Sequence, residues 1–146
     1  KAQYKLGVVF KSLMRYYEAE DAFNKVITNY PESEWVEAAK YQLATTRAAL
    51  SHGPEYDQGA SEEAKKRFED FVTTHPDSVL SYDAEKNIMQ LNEKDAEGNY
   101  NTGRFYEKQK AFESAKIYYE YVVRNYPKSQ WSAKALERIQ IMEKRK

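Results

Sequence analysis

Asn29-Tyr30-Pro31-Glu32-Ser33-Glu34-Trp35 is repeated, with small changes, at Thr74-His75-Pro76-Asp77-Ser78-Val79-Leu80 and at Asn125-Tyr126-Pro127-Lys128-Ser129-Gln130-Trp131. Each copy has the form aromatic-Pro-x-Ser. Proline has no N–H to donate and disfavours helix in the residue before it, so it stops a helix. A serine two places on is a natural N-cap for the next helix. Each copy therefore predicts a tight corner between two helices.

The sequence before each corner is amphipathic. Ala19, Ala22, Phe23, Val26, Ile27 and Tyr30 recur at helical spacing, as do Ala64, Phe68, Phe71 and Val72, and then Ala115, Tyr119, Val122, Val123 and Tyr126. One face is apolar and the other carries Lys, Glu, Asp and Asn. A small alanine facing a large aromatic allows two helices to approach closely. The chain has 146 residues with only 5 Gly, 4 Pro and as many as 13 Tyr, which fits an all-α protein large enough to bury a core.

The spacing resembles the tetratricopeptide repeat, a helix–turn–helix unit, through Leu6, Gly7, Phe10, Tyr16, Ala19, Phe23 and Pro31 and again through Gly103, Tyr106, Phe112, Ala115, Tyr119 and Pro127. The middle unit keeps Ala64, Phe68 and Pro76. The prolines are separated by 45 and 51 residues, against about 34 in a regular array. The first excess is read as a Gly- and Pro-containing loop, Ser51–Ala60, with Ser61 capping the next helix and Glu62 and Glu63 in its first turn. The second is read as one long helix over 79–110, of roughly 45 Å, with a bend possible at Gly98. The map has seven helices, Ala2–Met14, Ala19–Asn29, Glu34–Leu50, Ser61–Thr74, Val79–Lys110, Phe112–Asn125 and Gln130–Lys144. They form one domain with repeat units about 2–31, 34–76 and 97–127.

Several function classes are excluded or unsupported. The 23 basic and 23 acidic residues cancel, which argues against nucleic-acid binding. The charge is uneven, with a net of +6 from Gly98 to Lys146 that can orient a partner or belong to a solvated surface. There is no cysteine, so no disulfide, thiolate nucleophile or thiol metal site. His52 and His75 have no second ligand at metal spacing, and no cofactor or phosphate-binding motif is present. His75 reads as a corner packing residue and His52 as a solvated loop residue. Adjacent carboxylates such as Glu62/Glu63 and Glu69/Asp70 splay apart on a helix. The chain reads as a protein-binding scaffold with no cofactor, not as an enzyme. Its opening, Lys1-Ala2-Gln3-Tyr4, has neither Met nor a signal peptide and reads as the start of an internal fragment.

Candidate contact residues follow from the repeat. The first helix of each unit lines the concave face, and its off-core positions usually meet a ligand. These are Tyr100, Arg104, Glu107 and Lys108 in the last unit, and Tyr4, Val8, Lys11 and Ser12 in the first. Arg104 and Lys108, one turn apart, can receive a carboxylate or simply form a solvated charged face. Tyr17, Tyr118 and Tyr121 lie off the core face, so they serve either an interface or packing against a neighbouring repeat. Tyr56, Asp57 and Gln58, in the inserted loop, are candidates for partner contact, with a turn-forming role for Asp57 as the other reading. The tail Glu143-Lys144-Arg145-Lys146 is basic and suits a helix C-terminus.

The loop with Tyr56-Asp57-Gln58, the run Glu63-Ala64 to Phe68-Glu69-Asp70-Phe71-Val72, Pro76-Asp77-Ser78, the long helix through Leu91, Ala96 and Tyr100 into Phe105-Tyr106-Glu107-Lys108, and the last repeat from Ala111-Phe112 to Tyr126-Pro127-Lys128-Ser129 together resemble the BamD family of outer-membrane assembly lipoproteins. The resemblance covers nearly the whole chain and places it at the C-terminal portion of such a protein. It implies a right-handed solenoid on the periplasmic face of the Gram-negative outer membrane. The membrane would be reached only through a lipid anchor absent from this chain. The implied partners are a periplasmic POTRA domain of BamA, docked by the C-terminal repeats, and other subunits of the assembly machine. The competing reading is a generic adaptor, periplasmic or cytoplasmic, holding a peptide in its concave groove.

Overall fold

A computed structural model of the chain describes residues 1–50 and 58–144, with Gln58 and Ala60 described in backbone only. The described residues form seven α-helices and no strand: α1 Ala2–Ser12, α2 Tyr16–Asn29, α3 Val36–Leu50, α4 Gln58–Thr74, α5 Val79–Lys108, α6 Phe112–Asn125 and α7 Gln130–Lys144. The all-α expectation holds, with helix ends within two residues of the expected ones except that α2 starts at Tyr16 rather than Ala19 and α4 at Gln58 rather than Ser61. One correction concerns Ser61. It does not cap α4, because that helix starts three residues earlier, at Gln58, and Ser61 is a buried residue within it. Residues 51–57 of the expected loop lie outside the described residues. Helix α5 runs through Gly98 without interruption.

Among the described residues, two kinds of turn join successive helices. Each aromatic-Pro-x-Ser corner is a four-residue turn in which the serine N–H donates to the carbonyl before proline: Ser33 to Tyr30 (2.9 Å), Ser78 to His75 (3.1 Å) and Ser129 to Tyr126 (3.0 Å). Proline suits the second position of such a turn because its φ is already set. The serine hydroxyls then diverge. Those of Ser33 and Ser78 accept the N–H two residues on, from Trp35 and Leu80, as N-caps do, while Ser129 donates its hydroxyl back to Tyr126. The hairpins α1–α2 and α5–α6 use another device. Met14 (φ 61°) and Lys110 (φ 63°) are left-handed. Arg15 N–H donates to Phe10 and Met14 N–H to Lys11. Ala111 and Lys110 do the same to Tyr106 and Glu107, all four at 2.9 Å. This is the Schellman pattern, built twice without the glycine that normally relieves its backbone strain.

The chain divides into two compact units, Lys1–Ile88 and Met89–Lys146, with the boundary inside α5. In the first, Ala19, Phe23, Val26, Ala39 and Leu43 form a buried cluster flanked by Tyr4, Phe10, Ile27, Trp35 and Val36. Tyr41 meets Phe68 and Phe71 edge-on at 6.0 and 5.8 Å. In the second, Ala96, Ala115, Tyr119, Val122, Tyr126, Ala135, Ile139 and Met142 form the core, with Tyr100, Tyr106, Val123 and Trp131 against it.

An interval of 96 residues carries Pro31 onto Pro127, Met14 onto Lys110 and Gly7 onto Gly103. Side-chain packing follows the same interval. Tyr4 lies 5.6 Å from Phe23 and 5.0 Å from Trp35, and Tyr100 lies 5.5 Å from Tyr119 and 5.1 Å from Trp131. A Cβ on Gly7 would stand 2.5 Å from the Phe23 ring, and one on Gly103 2.6 Å from the Tyr119 ring. In each hairpin a glycine thus sits directly against an aromatic ring.

Two substitutions of one kind should have opposite signs. Gly98 has nothing within 4 Å of a Cβ, so Gly98→Ala gains helix propensity and stabilises by about 1 kcal/mol. Gly103→Ala must displace the buried Tyr119 ring and destabilises by about 1–2 kcal/mol net, overpacking outweighing propensity. Lys110→Gly relieves the left-handed backbone and stabilises by about 1 kcal/mol. Urea unfolding followed by circular dichroism checks all three.

Candidate partner-binding surfaces

The off-core residues at the end of α5 divide into internal and exposed groups. Tyr100 is part-buried between Tyr119 and Trp131. Glu107 is buried, and its carboxylate is engaged inside the unit, so the expected exposed contact there is replaced by an internal one. Arg138 from α7 donates to it through Nε (3.0 Å, to Oε1) and through Nη2 to Oε2. The Tyr119 hydroxyl donates at 2.8 Å, and Arg104 Nη1 stands 3.8 Å away. The Arg138 guanidinium holds Glu107 below the usual carboxylate range, against the opposing effect of burial. Burial, with Glu107 beside it, pushes the Tyr119 phenol up. Of the four expected contacts, Lys108 alone is exposed, and it forms no ion pair among the described residues. Arg104 is half-buried.

The first unit treats its equivalents similarly. Tyr4 belongs to the aromatic core and accepts from Gln42 Nε2 at 3.3 Å. Lys11 bridges to α3, donating to Gln42 Oε1 (2.8 Å) and Thr45 Oγ1 (2.6 Å), and burial pushes its pKa down. Val8 is exposed, and Ser12 donates to the Val9 carbonyl. At the 96-residue interval Lys11 corresponds to Glu107 and Gln42 to Arg138. A second polar link repeats with its charges reversed. Buried Glu20 pairs with Arg47 at 2.7 Å in the first unit, and Lys116 pairs with Glu143 at 3.5 Å in the second. Arg47 also lies 3.4 Å from Glu63, which Arg67 meets at 3.3 Å.

The off-core tyrosines are more open. Tyr17 is 72% exposed. Tyr118 stacks on Tyr106 at 5.6 Å with 17° between planes, and Phe105, 58% exposed, meets Tyr106 edge-on at 5.4 Å. Tyr121 is partly exposed and touches Tyr126 edge-on at 5.9 Å. Ile117, one turn before Tyr121 on α6, is 66% exposed. Phe105 and Ile117 escaped the site reading; the available signal was an apolar residue outside the repeat's core register. In the first unit Gln3, Leu6, Phe10, Tyr17, Asp21 and Ala22 help line a groove of about 400 Å³ between α1 and α2.

Tyr56, Asp57 and His52 lie outside the described residues, and Gln58 is placed only as the first residue of α4. His75 packs on Phe71 (5.1 Å), with Nδ1 4.0 Å from Glu37, as a corner residue would. Glu37 in turn accepts from the Ser78 hydroxyl. Among the described residues no cluster of His, Asp and Glu is arranged to hold a metal ion, and no helix is long and apolar enough to cross a membrane.

Comparison with known proteins gives two findings. A family model described as an outer membrane lipoprotein, YfiO, matches residues 2–146. The outer membrane protein assembly factor BamD of Rickettsia prowazekii (strain Madrid E) is 30% identical over 125 residues, covering 86% of this chain and 50% of that relative. The chain therefore spans about half the length of the curated relative it matches.

Two carboxylates of the second unit should give opposite pH dependences. Glu107 has a lowered pKa in the fold, so its stabilisation is present above its unfolded pKa and is lost as pH falls through the folded value. Glu107→Gln should cost about 3 kcal/mol at pH 7, a gap that closes in acid. Asp95 is buried and raised to about 6. The folded state therefore binds its proton more tightly, and its contribution falls by roughly 2–3 kcal/mol as pH rises from 4 to 7. Asp95→Asn should flatten that decline. Urea midpoints across pH 3–8 read both.

Proposed function

The chain belongs to the YfiO family of outer membrane lipoproteins, and on that basis we propose that it is a non-catalytic scaffold subunit of the outer-membrane β-barrel assembly machinery, working on the periplasmic face. The observation that carries this reading is the family match over 2–146 together with the similarity to an assembly factor. Its partner in this proposal is a POTRA domain of BamA, docked on the outer surface of the last repeat. Other subunits of the machine are further protein partners. Membrane attachment through a lipidated cysteine would belong to sequence outside these 146 residues, which contain no cysteine.

The mechanism is presentation of a preformed surface. Tyr118, half-buried and stacked on Tyr106, and Tyr121, partly exposed, flank the face of α6 that Ala115, Tyr119 and Val122 bury. Tyrosine has few rotatable bonds and a large amphipathic ring, so docking buries area at small entropic cost. Lys108 and the positive balance of residues 98–146 favour an acidic patch on the partner. The generic adaptor reading puts the partner elsewhere, as a peptide over Arg104 and Lys108. The contact proposed at Tyr56, Asp57 and Gln58 would add to either mode.

Titration calorimetry with isolated BamA POTRA domains separates the readings. Docking on the outer surface predicts that Tyr118→Ala and Tyr121→Ala each weaken binding about tenfold, or about 1.4 kcal/mol. Arg104→Ala and Lys108→Ala should then change it less than about threefold. The reverse ranking supports the groove. If no POTRA domain binds, the proposed partnership is wrong.

A further inference from the structure

Lys11 stands on the side of α1 that meets α3, and no anion of the first unit balances its charge. The ammonium donates to Gln42 Oε1 at 2.8 Å and to Thr45 Oγ1 at 2.6 Å. Both acceptors are neutral, and Lys11 forms no ion pair among the described residues. Burial pushes its pKa down, and no neighbouring carboxylate opposes that. An ammonium has three donors, so one is left over. Gln42 Nε2 donates to the Tyr4 hydroxyl at 3.3 Å, and Thr45 turns its own proton to the Gln42 carbonyl at 2.9 Å. The Tyr4 hydroxyl proton has no acceptor among the described residues. Tyr4, Lys11, Gln42 and Thr45 are all partly open to solvent, and Val8 and Ser12 on the same face of α1 are exposed.

The second unit closes the equivalent set. At the interval of 96 residues Lys11 becomes Glu107 and Gln42 becomes Arg138, a carboxylate and a guanidinium that balance each other. In the first unit the α3 position holds an uncharged amide, so the counter-charge that α7 supplies to Glu107 has no equivalent from α3. A half-buried cation without an anion carries a desolvation cost that an anion would offset.

We propose that Lys11 and Tyr4 together receive a carboxylate of a partner protein, with the leftover ammonium N–H and the Tyr4 O–H both donating to it. The Gln42 amide holds the two donors beside each other, Lys11 on its oxygen and Tyr4 on its nitrogen. A carboxylate accepts at two oxygens, donates nothing and carries one negative charge, which matches two donors and one cation. Charge-assisted bonds of this kind are roughly twice as strong as neutral ones. Competing groups fit less well. An amide has the same shape without the charge, and brings two donors of its own. A phosphate monoester brings nearly two charges to a single cation. A cationic side chain is repelled.

The inference rests on the chain being a protein-binding scaffold, not on the identity of the partner, and the site can be probed without one. ¹H–¹⁵N NMR of the whole chain reads it through the Gln42 side-chain NH₂ and the Thr45 amide. N-acetylglutamate α-amide, which carries only a side-chain carboxylate, should move both signals saturably. N-acetylalanine, which carries only a terminal carboxylate, is the second probe, and the tighter of the two names the source. The neutral glutamine counterpart should bind about tenfold more weakly than either. Lys11→Met keeps an unbranched side chain on the helix and should abolish binding. Tyr4→Phe removes only a donor and should weaken binding about fivefold. Equal binding of the glutamate and glutamine compounds overturns the proposal. So does tighter binding of inorganic phosphate, an equal shift from sodium chloride, or no saturable shift with either carboxylate. The probe comparison in the unmodified chain decides the matter even if Lys11→Met fails to fold. Failure here leaves POTRA docking untouched, because that is measured with different residues.

Discussion

The contact on which each hairpin depends is a glycine pressed against an aromatic ring: Gly7 on Phe23 and Gly103 on Tyr119. No other residue lets the helix backbone come so near the ring. That proximity sets the rest. It brings Tyr4 and Tyr100 onto the same rings and lets Trp35 and Trp131 close the cluster from the next helix. In the second unit it also places the Tyr119 hydroxyl within hydrogen-bonding distance of Glu107. One hairpin buries a phenylalanine at this point and the other a tyrosine. The extra oxygen brings the need for a partner, and the Glu107–Arg138 pair meets it.

The scaffold was legible because its signals are local and of the strong kind. A proline followed two residues later by serine fixes a corner with little help from the remainder of the chain, and the alanine–aromatic spacing upstream needs only helical periodicity. The turns at Met14 and Lys110 gave no such signal. Their left-handed residues are not glycine, so the sequence there marks where a helix ends and leaves the left-handed turn that ends it unsignalled. Tertiary packing imposes the strained conformation against local preference. The misplaced cap at Ser61 has a similar origin. Serine before two glutamates is an excellent start signal, yet the helix had already begun at Gln58 and Ser61 lies buried within it.

The candidate surface was less legible than the fold, for a definite reason. Helical periodicity sorts residues into core-facing and outward-facing, but in a layered repeat an outward face can meet a third helix. Tyr4, Tyr100 and Glu107 touch a ring or hydroxyl of their own hairpin, and these three together with Lys11 are also claimed by α3 or α7. The residues left open are those no third helix reaches: Phe105, Lys108, Ile117, Tyr121 and Tyr17. Three of the five acidic residues after Gly98, Glu107, Glu120 and Glu143, face cations of their own unit. The positive balance of that segment is therefore carried partly by exposed groups such as Lys108.

The polar links between helices differ in one respect from the apolar ones. Across the 96-residue interval the rings and glycines are interchangeable, whereas the charges are not. Were α7 to take the place of α3, Arg138 would come to lie beside Lys11 and Glu143 beside buried Glu20, two cations in one position and two carboxylates in the other. A repeat protein whose hydrophobic seams are alike is at risk of joining the wrong halves, within a chain or between copies. Here the one inverted pair and the Glu107–Arg138 pair would favour each third helix at its own hairpin and oppose α7 at the other.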